Sequence, residues 1–230
     1  MAISFIQEKL EFPSVQNALA DGLLAIGGDL TKERMLLAYR SGIFPWFSEE
    51  DPILWWAPDP RFVLFPEYLK ISKSMKQLFN KNAFEVSLDR DFSSVLANCA
   101  NIKRYGQKGT WITPDMIDAY QTLFDEGWAH SVEVWKGDDL VGGLFGVAIG
   151  KMFFGESMFS KVSNASKYGF IELVQWLEKN GFDLIDCQLH TAHLGSLGAV
   201  HISRDEYMQQ IEDSIDKSSI NSTWSIDLLA

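Results

Sequence analysis

The chain has 230 residues, 47% of them hydrophobic, and a formal net charge of −11. That apolar content excludes a disordered chain and suffices for a sizeable core in one large domain or two small ones. The acidic balance excludes a protein that coats nucleic acid non-specifically, and no apolar run is long enough for a membrane span.

The opening residues, MAISFIQEKLEFP, lack the basic flank, sustained apolar region and cleavage site of an export signal. Cys99 and Cys187 demand no disulfide. A reduced, cytoplasmic protein is therefore expected. The charge is unevenly spread: residues 61–108 carry nine basic side chains against four acidic, while the segments on either side are acidic. A confined polyanion-docking face is compatible with that distribution.

In chain order, residues 1–30 are turn-rich and end in Gly27-Gly28-Asp29. Thr31 predicts the cap of a helix running to about Arg40, with Gly42 beyond its end. Residues 42–66 hold five prolines, three tryptophans and four phenylalanines. The prolines forbid a long helix, so an ordered aromatic connection between two domains is expected. Over 70–81, Ile71, Met75, Leu78 and Phe79 share one helical arc, while Lys70, Lys73, Lys76 and Lys81 lie on the other side. Such a face is either simply solvated or contacts phosphates. Lys103, Arg104 and Lys108 near Trp111 add to the second reading.

A strand is expected over 84–88 and a helix over 92–100. Thr113-Pro114 caps a helix closed by Gly127, and 131–135 alternates as a strand. The stretch 140–160, LVGGLFGVAIGKMFFGESMFS, predicts two strands, Leu140–Ala148 and Lys151–Met158, covered on both faces. Its glycines mark close approach of a backbone or a ligand. Its single carboxylate, Glu156, needs partners in such a setting. A helix follows from Ser163 or Asn164 to near Gly181, then a strand over 183–189. Ser203 and Glu206 form a capping box for a last helix to about Asp216.

On a strand over 183–189, Asp186 and Gln188 share one face. With Glu156 they make two carboxylates and an amide at one end of a sheet, which is either a site or a structural polar network. Cys187, His190 and His193 have no fourth ligand spaced to complete a zinc site. The sequence contains no phosphate-binding loop, dinucleotide fingerprint or nucleophile elbow.

GLLAIGGDL (22–30), YRSGIFPWFS (39–48), ILWWAPDPR (53–61), GTWIT (109–113), GESMFS (155–160), NASK (164–167), IDCQ (185–188) and HLGSLGA (193–199) occur together and in order. In these words the chain resembles the leucyl/phenylalanyl-tRNA–protein transferases, from about residue 10 to 210. That family adds Leu or Phe (Met is also conceivable) to proteins with N-terminal Arg or Lys, marking them for degradation by the N-end rule pathway.

The resemblance implies an α/β (α+β) fold: a small N-terminal domain, 1–62, and a larger catalytic domain, 63–230, with an acetyltransferase-like (GNAT) mixed sheet flanked by helices. It implies Asp186, Gln188 and Glu156 at the catalytic centre. Leu144, Phe153, Met158, Phe170 and Leu173 would form the aminoacyl pocket, and Trp46 and Trp111 would stack on the terminal adenosine. Lys70, Lys73, Lys76 and Lys81 would lie on the tRNA backbone, although Gln77 and Asn80 stand where relatives are often basic. The implied partners are leucyl- and phenylalanyl-tRNA and the acceptor proteins, with no metal, coenzyme or membrane, and a monomeric state is expected. The departure His190-Thr191-Ala192 argues against a side-chain role at Thr191, and the tail beyond about 217 is the chain's own.

Two alternatives bracket this reading. An acetyl-CoA-dependent N-acetyltransferase would need a pyrophosphate cradle, typically a Gln or Arg followed three residues on by Gly-x-Gly/Ala, and the sequence has no such segment. A non-catalytic RNA-binding adaptor would use the lysine face and the tryptophans but not Asp186 or Gln188.

Overall fold

The computed structural model describes residues 3–102, 110–220 and 224. The N-terminal part contains β1 (Ser4–Ile6), β2 (Leu23–Gly27), α1 (Lys32–Arg40), β3 (Phe44–Pro45) and β4 (Leu54–Trp56). The rest contains β5 (Arg61–Leu64), α2 (Lys73–Asn80), β6 (Glu85–Leu88), α3 (Phe92–Asn101), α4 (Pro114–Asp125), β7 (Ala129–Lys136), β8 (Asp139–Ile149) and β9 (Met152–Ser160). α5 (Ala165–Lys179), β10 (Leu184–Asp186), α6 (Ala192–Ser196), β11 (Val200–Ile202) and α7 (Arg204–Ser214) complete it.

The first four strands form a small sheet in the order β1-β2-β4-β3; the other seven form a large one in the order β11-β5-β10-β9-β8-β7-β6. The large sheet is mixed. β9 and β10 run parallel, joined through α5, and the other neighbours are antiparallel. A parallel pair needs such a helical crossover, and the crossover places α5 on one face of the sheet. Helices flank both faces. Phe145, Val147 and Ile149 of β8 join the core shared with α3, α4 and the small sheet, while Leu144 and Ala148 join the core beneath α5. This double coverage explains why 140–160 reads as continuously apolar.

The helix ends follow their local chemistry. The side chains of Ser72, Thr113 and Ser203 each accept a backbone N–H three residues on, and Glu206 closes the last of these as a capping box. Thr31 stands at the expected N-cap of α1, but its side chain caps nothing; the hydroxyl bonds Asp29 instead. At the β8–β9 turn, Gly150 has φ +62°, and a Cβ there would meet the Ser214 carbonyl oxygen at 2.3 Å. Only glycine fits.

Residues 42–66 are more than a connection. They supply β3 and β4 to the small sheet and β5 to the large one, because aromatic side chains alternating with prolines can pair as short strands without a long run of donors. The expected division between 62 and 63 falls inside β5. α2 is shorter than 70–81: Ser72 caps it, leaving Lys70 and Ile71 in the preceding loop.

Candidate active site

Pairing between the parallel strands β9 and β10 ends at Phe154↔Asp186. Beyond that point the two strands part, β9 staying paired with β8, and a cavity of about 420 Å³ opens, lined by residues of both. Two local irregularities shape it. On β9, Gly155 pairs with Gly146 and Ser157 with Phe145, so Glu156 is an extra residue, a β-bulge. Bulges re-aim a side chain, and this one turns Glu156 into the cavity.

The second irregularity corrects the strand expected over 183–189, since β10 stops at Asp186. The Gln188 backbone N–H donates to the Asp186 side chain at 2.9 Å, and Gln188 adopts φ +60°. This Asx-type turn competes with strand pairing and rotates Gln188 off the face it would have shared with Asp186.

The Glu156 carboxylate accepts three side-chain hydrogen bonds: from Tyr39 at 2.9 Å, from Tyr120 at 2.6 Å and from the Gln188 amide nitrogen at 3.0 Å. The two phenol oxygens lie 3.0 Å apart. Desolvation pushes the Glu156 carboxyl up to about 7, against the opposing pull of the tyrosine hydrogen bonds. Tyr39 and Tyr120 are pushed well above the usual phenol value by burial and the adjacent carboxylate, so both remain donors.

Asp186 is arranged differently. One oxygen accepts from Arg61 Nε at 2.9 Å and from Gln188 N; the other accepts from Arg61 Nη2 at 2.6 Å and from the Tyr207 hydroxyl at 2.7 Å. Arg61 is 1% exposed and Asp186 not at all. The guanidinium lies between the rings of Phe44 and Tyr207, at 4.7 and 4.6 Å, and the adjacent carboxylate raises its pKa against the cost of burial. The four acceptor positions of Asp186 are thus filled by the protein itself. Its negative charge is matched by Arg61, so of the two carboxylates only Glu156, when ionised, offers a ligand an unpaired negative charge.

The remaining wall is mostly apolar, with Ser157, Thr191 and His193 also lining it. Leu144, Phe153, Met158, Phe170 and Ile185 line it, and Trp46 and Trp111 stand among the lining residues with Phe44 and Pro45. Trp46 is 36% exposed and meets Trp56 edge-on at 5.6 Å. Of the residues expected at the site, Asp186, Gln188, Glu156, Trp46, Trp111, Leu144, Phe153, Met158 and Phe170 all line this one cavity. Leu173 does not; it is fully buried one helical turn along α5. Thr191, set aside from its sequence context, is at the rim and caps α6 through its hydroxyl. Lys70, Lys73, Lys76 and Lys81 are exposed, with Met75 buried beneath them. Lys103, Arg104 and Lys108 lie outside the described residues.

Sequence reasoning missed Tyr39, Tyr120, Arg61 and Tyr207. Each comes from a segment distant in the chain, and only packing brings them to the two carboxylates. Arg61 and Tyr39 do lie inside the quoted words ILWWAPDPR and YRSGIFPWFS, the one signal that could have found them.

Comparison with known proteins bears on this arrangement. The family described as leucyl/phenylalanyl-tRNA protein transferase matches residues 63–212, and its N-terminal domain matches residues 28–59. The leucyl/phenylalanyl-tRNA–protein transferase of Flavobacterium johnsoniae is 55% identical over 89% of this chain and 96% of its own length. Proteins of the same name from Syntrophobacter fumaroxidans and Azotobacter vinelandii are 50% and 53% identical, covering 97% and 93% of this chain and 96% and 95% of their own. Among solved structures, L-PGS from Bacillus licheniformis superposes with a TM-score of 0.39 at 15% identity, over 74% of this chain and 54% of that one, too loose a likeness to carry an argument. Matched in both of its parts and half identical to these enzymes over nearly its whole length, the chain belongs to the leucyl/phenylalanyl-tRNA–protein transferase family of aminoacyltransferases.

Proposed function

We propose that the protein transfers Leu or Phe from aminoacyl-tRNA to the α-amine of proteins bearing N-terminal Arg or Lys, acting as a monomer in the cytoplasm. The observation that carries the chemistry is the cavity itself: an apolar pocket that ends at a bulged glutamate, with a glutamine amide held against it. The aminoacyl side chain occupies the wall of Leu144, Phe153, Met158 and Phe170, and the terminal adenosine stacks on Trp46 and Trp111. The exposed lysines of the 70–81 segment follow the tRNA backbone.

The ester is already activated, so positioning supplies much of the rate. The acceptor amine, with a reference pKa of about 7.7–8.0, is close to Glu156 at about 7. Such matching favours general-base transfer. The amine nitrogen bonds to the ester carbonyl carbon while the Gln188 carbonyl oxygen accepts one of its hydrogens. The proton lost from nitrogen passes to Glu156. When the carbon–oxygen bond to the ribose breaks, Glu156 and its tyrosines return a proton to the leaving oxygen. Asp186, saturated by Arg61 and Tyr207, is a positioning residue that holds the backbone of Gln188. The uncompensated charge of Glu156 favours an acceptor with a cationic first residue.

The test is transfer of labelled Phe or Leu from charged tRNA to a protein starting with Arg, beside one starting with Gly. Label on the Arg acceptor alone is expected. No label, from a preparation that still binds the charged tRNA, would refute the transferase reading and favour an RNA-binding adaptor.

A further inference from the structure

The matched family segment ends at residue 212, yet Trp224, twelve residues beyond it, is only 2% exposed. Its ring stacks on His130 at 3.8 Å and 8°, and lies 4.4 Å from Trp176. Its backbone N–H donates to Asp89 at 2.7 Å, the same carboxylate oxygen that meets His130 Nδ1 at 2.8 Å. A tail residue fixed by stacking and by a buried carboxylate is built into the fold.

A further ring neighbour gives it a role. Trp224 lies 5.9 Å from Phe153, a residue that lines the cavity. Phe153 is in turn pressed against the bare backbone of Gly146, where a Cβ would stand 2.5 Å from its ring. The Phe153 ring is thus confined between the sheet and the tail tryptophan. The indole occupies space beside that ring into which the ring would otherwise relax.

We infer that Trp224 is a specificity-determining residue that acts through Phe153, setting the depth of the aminoacyl pocket from behind its wall. This rests on the aminoacyl-transfer reading above. Removing the indole lets Phe153 retreat and deepens the pocket, to the relative benefit of the bulkier Phe side chain over Leu. A change of about one methylene in an apolar pocket alters discrimination roughly 10–200-fold, so a rise of about tenfold in the Phe-to-Leu preference is expected.

The experiment compares full-length wild type, Trp224→Ala and Trp224→Phe. It measures calorimetric affinity for non-hydrolysable phenylalanyl- and leucyl-adenosine amides, transfer kinetics with both charged tRNAs, and Tm. The Ala variant should raise the Phe-to-Leu ratio in both binding and kcat/KM, mainly through KM, and the Phe variant should restore it to within about twofold. An unchanged ratio in a folded Ala variant, or equal loss of both ligands, would reduce Trp224 to a stabilising plug and overturn the inference. If the Ala variant does not fold, Trp224→Leu reads the same ratio with a smaller void. Wild type that binds both amides but transfers neither would count against the transferase reading alone, since the binding ratio still decides this one. Wild type that binds neither would overturn both.

Discussion

Replacing Asp186 with Ala would leave the Arg61 guanidinium, 1% exposed, without its counter-ion. Breaking a buried pair from one side costs about 3–5 kcal/mol, because the surviving charge stays buried. Tyr207 and the Gln188 backbone N–H lose an acceptor as well, about 1–3 kcal/mol each where no water replaces it. These costs overlap, and a total of about 5 kcal/mol is reasonable against a stability of about 5–15 kcal/mol for a native protein. At roughly 2–4 °C per kcal/mol for a chain of this size, Tm should fall by about 10–20 °C. Urea unfolding of wild type, Asp186→Ala, Arg61→Met and the double variant Arg61→Met/Asp186→Leu measures the coupling. The double variant should regain most of the lost stability, since an apolar pair of similar volume can replace a buried ion pair. It should not regain transfer activity, because Gln188 still lacks the acceptor that holds its turn. Asp186→Ala within about 1 kcal/mol of wild type would refute the ion-pair argument. Full activity in the double variant would refute the positioning role.

Glu156→Gln tests the proposed proton acceptor. The Glu156 pKa of about 7 lies above the 4.5 of an unperturbed glutamate, so the folded chain holds this proton more tightly than the unfolded chain. Its contribution to stability is greatest below pH 4.5 and is lost as pH rises through 7. Relative to the Gln variant, wild type should therefore lose up to about 3 kcal/mol over that window, read by urea unfolding at several pH values. Transfer by wild type should rise with two ionisations, Glu156 near 7 and the acceptor amine at about 7.7–8.0, and the Gln variant should keep only the second; an identical pH–rate profile would exclude Glu156 as the base. Trp46→Ala and Trp111→Ala should each weaken aminoacyl-adenosine binding by about 1–3 kcal/mol, measured by calorimetry, with little change in kcat. Lys73→Glu/Lys76→Glu should weaken tRNA binding and flatten its salt dependence without moving Tm, since both side chains are exposed. An unchanged salt slope would remove α2 from the tRNA path.

Much of the architecture is set by local physical chemistry. Thr113-Pro114 and Ser203-Arg204-Asp205-Glu206 open helices because the caps satisfy backbone donors within four residues, and the unbroken apolar run at 140–160 requires cover on both faces. Those features depend on neighbours along the chain, and a sequence displays them directly. That Asp186, Gln188 and Glu156 would meet in one place was legible too, from the strand period and from the family resemblance of words such as GESMFS and IDCQ. Their division of labour was not. A strand period put Asp186 and Gln188 on one face, whereas an Asx turn and a left-handed Gln188 separate them. The bulge that aims Glu156 arises from a one-residue mismatch with β8, visible only once the two strands are paired. Arg61 neutralises Asp186 from 125 positions away, and Tyr39 and Tyr120 reach Glu156 from 117 and 36. A charge acquires its pKa from whatever surrounds it in space. The sequence alone therefore determined which groups are present, and the tertiary structure decided which carboxylate is paired with a buried cation and which is turned into the cavity.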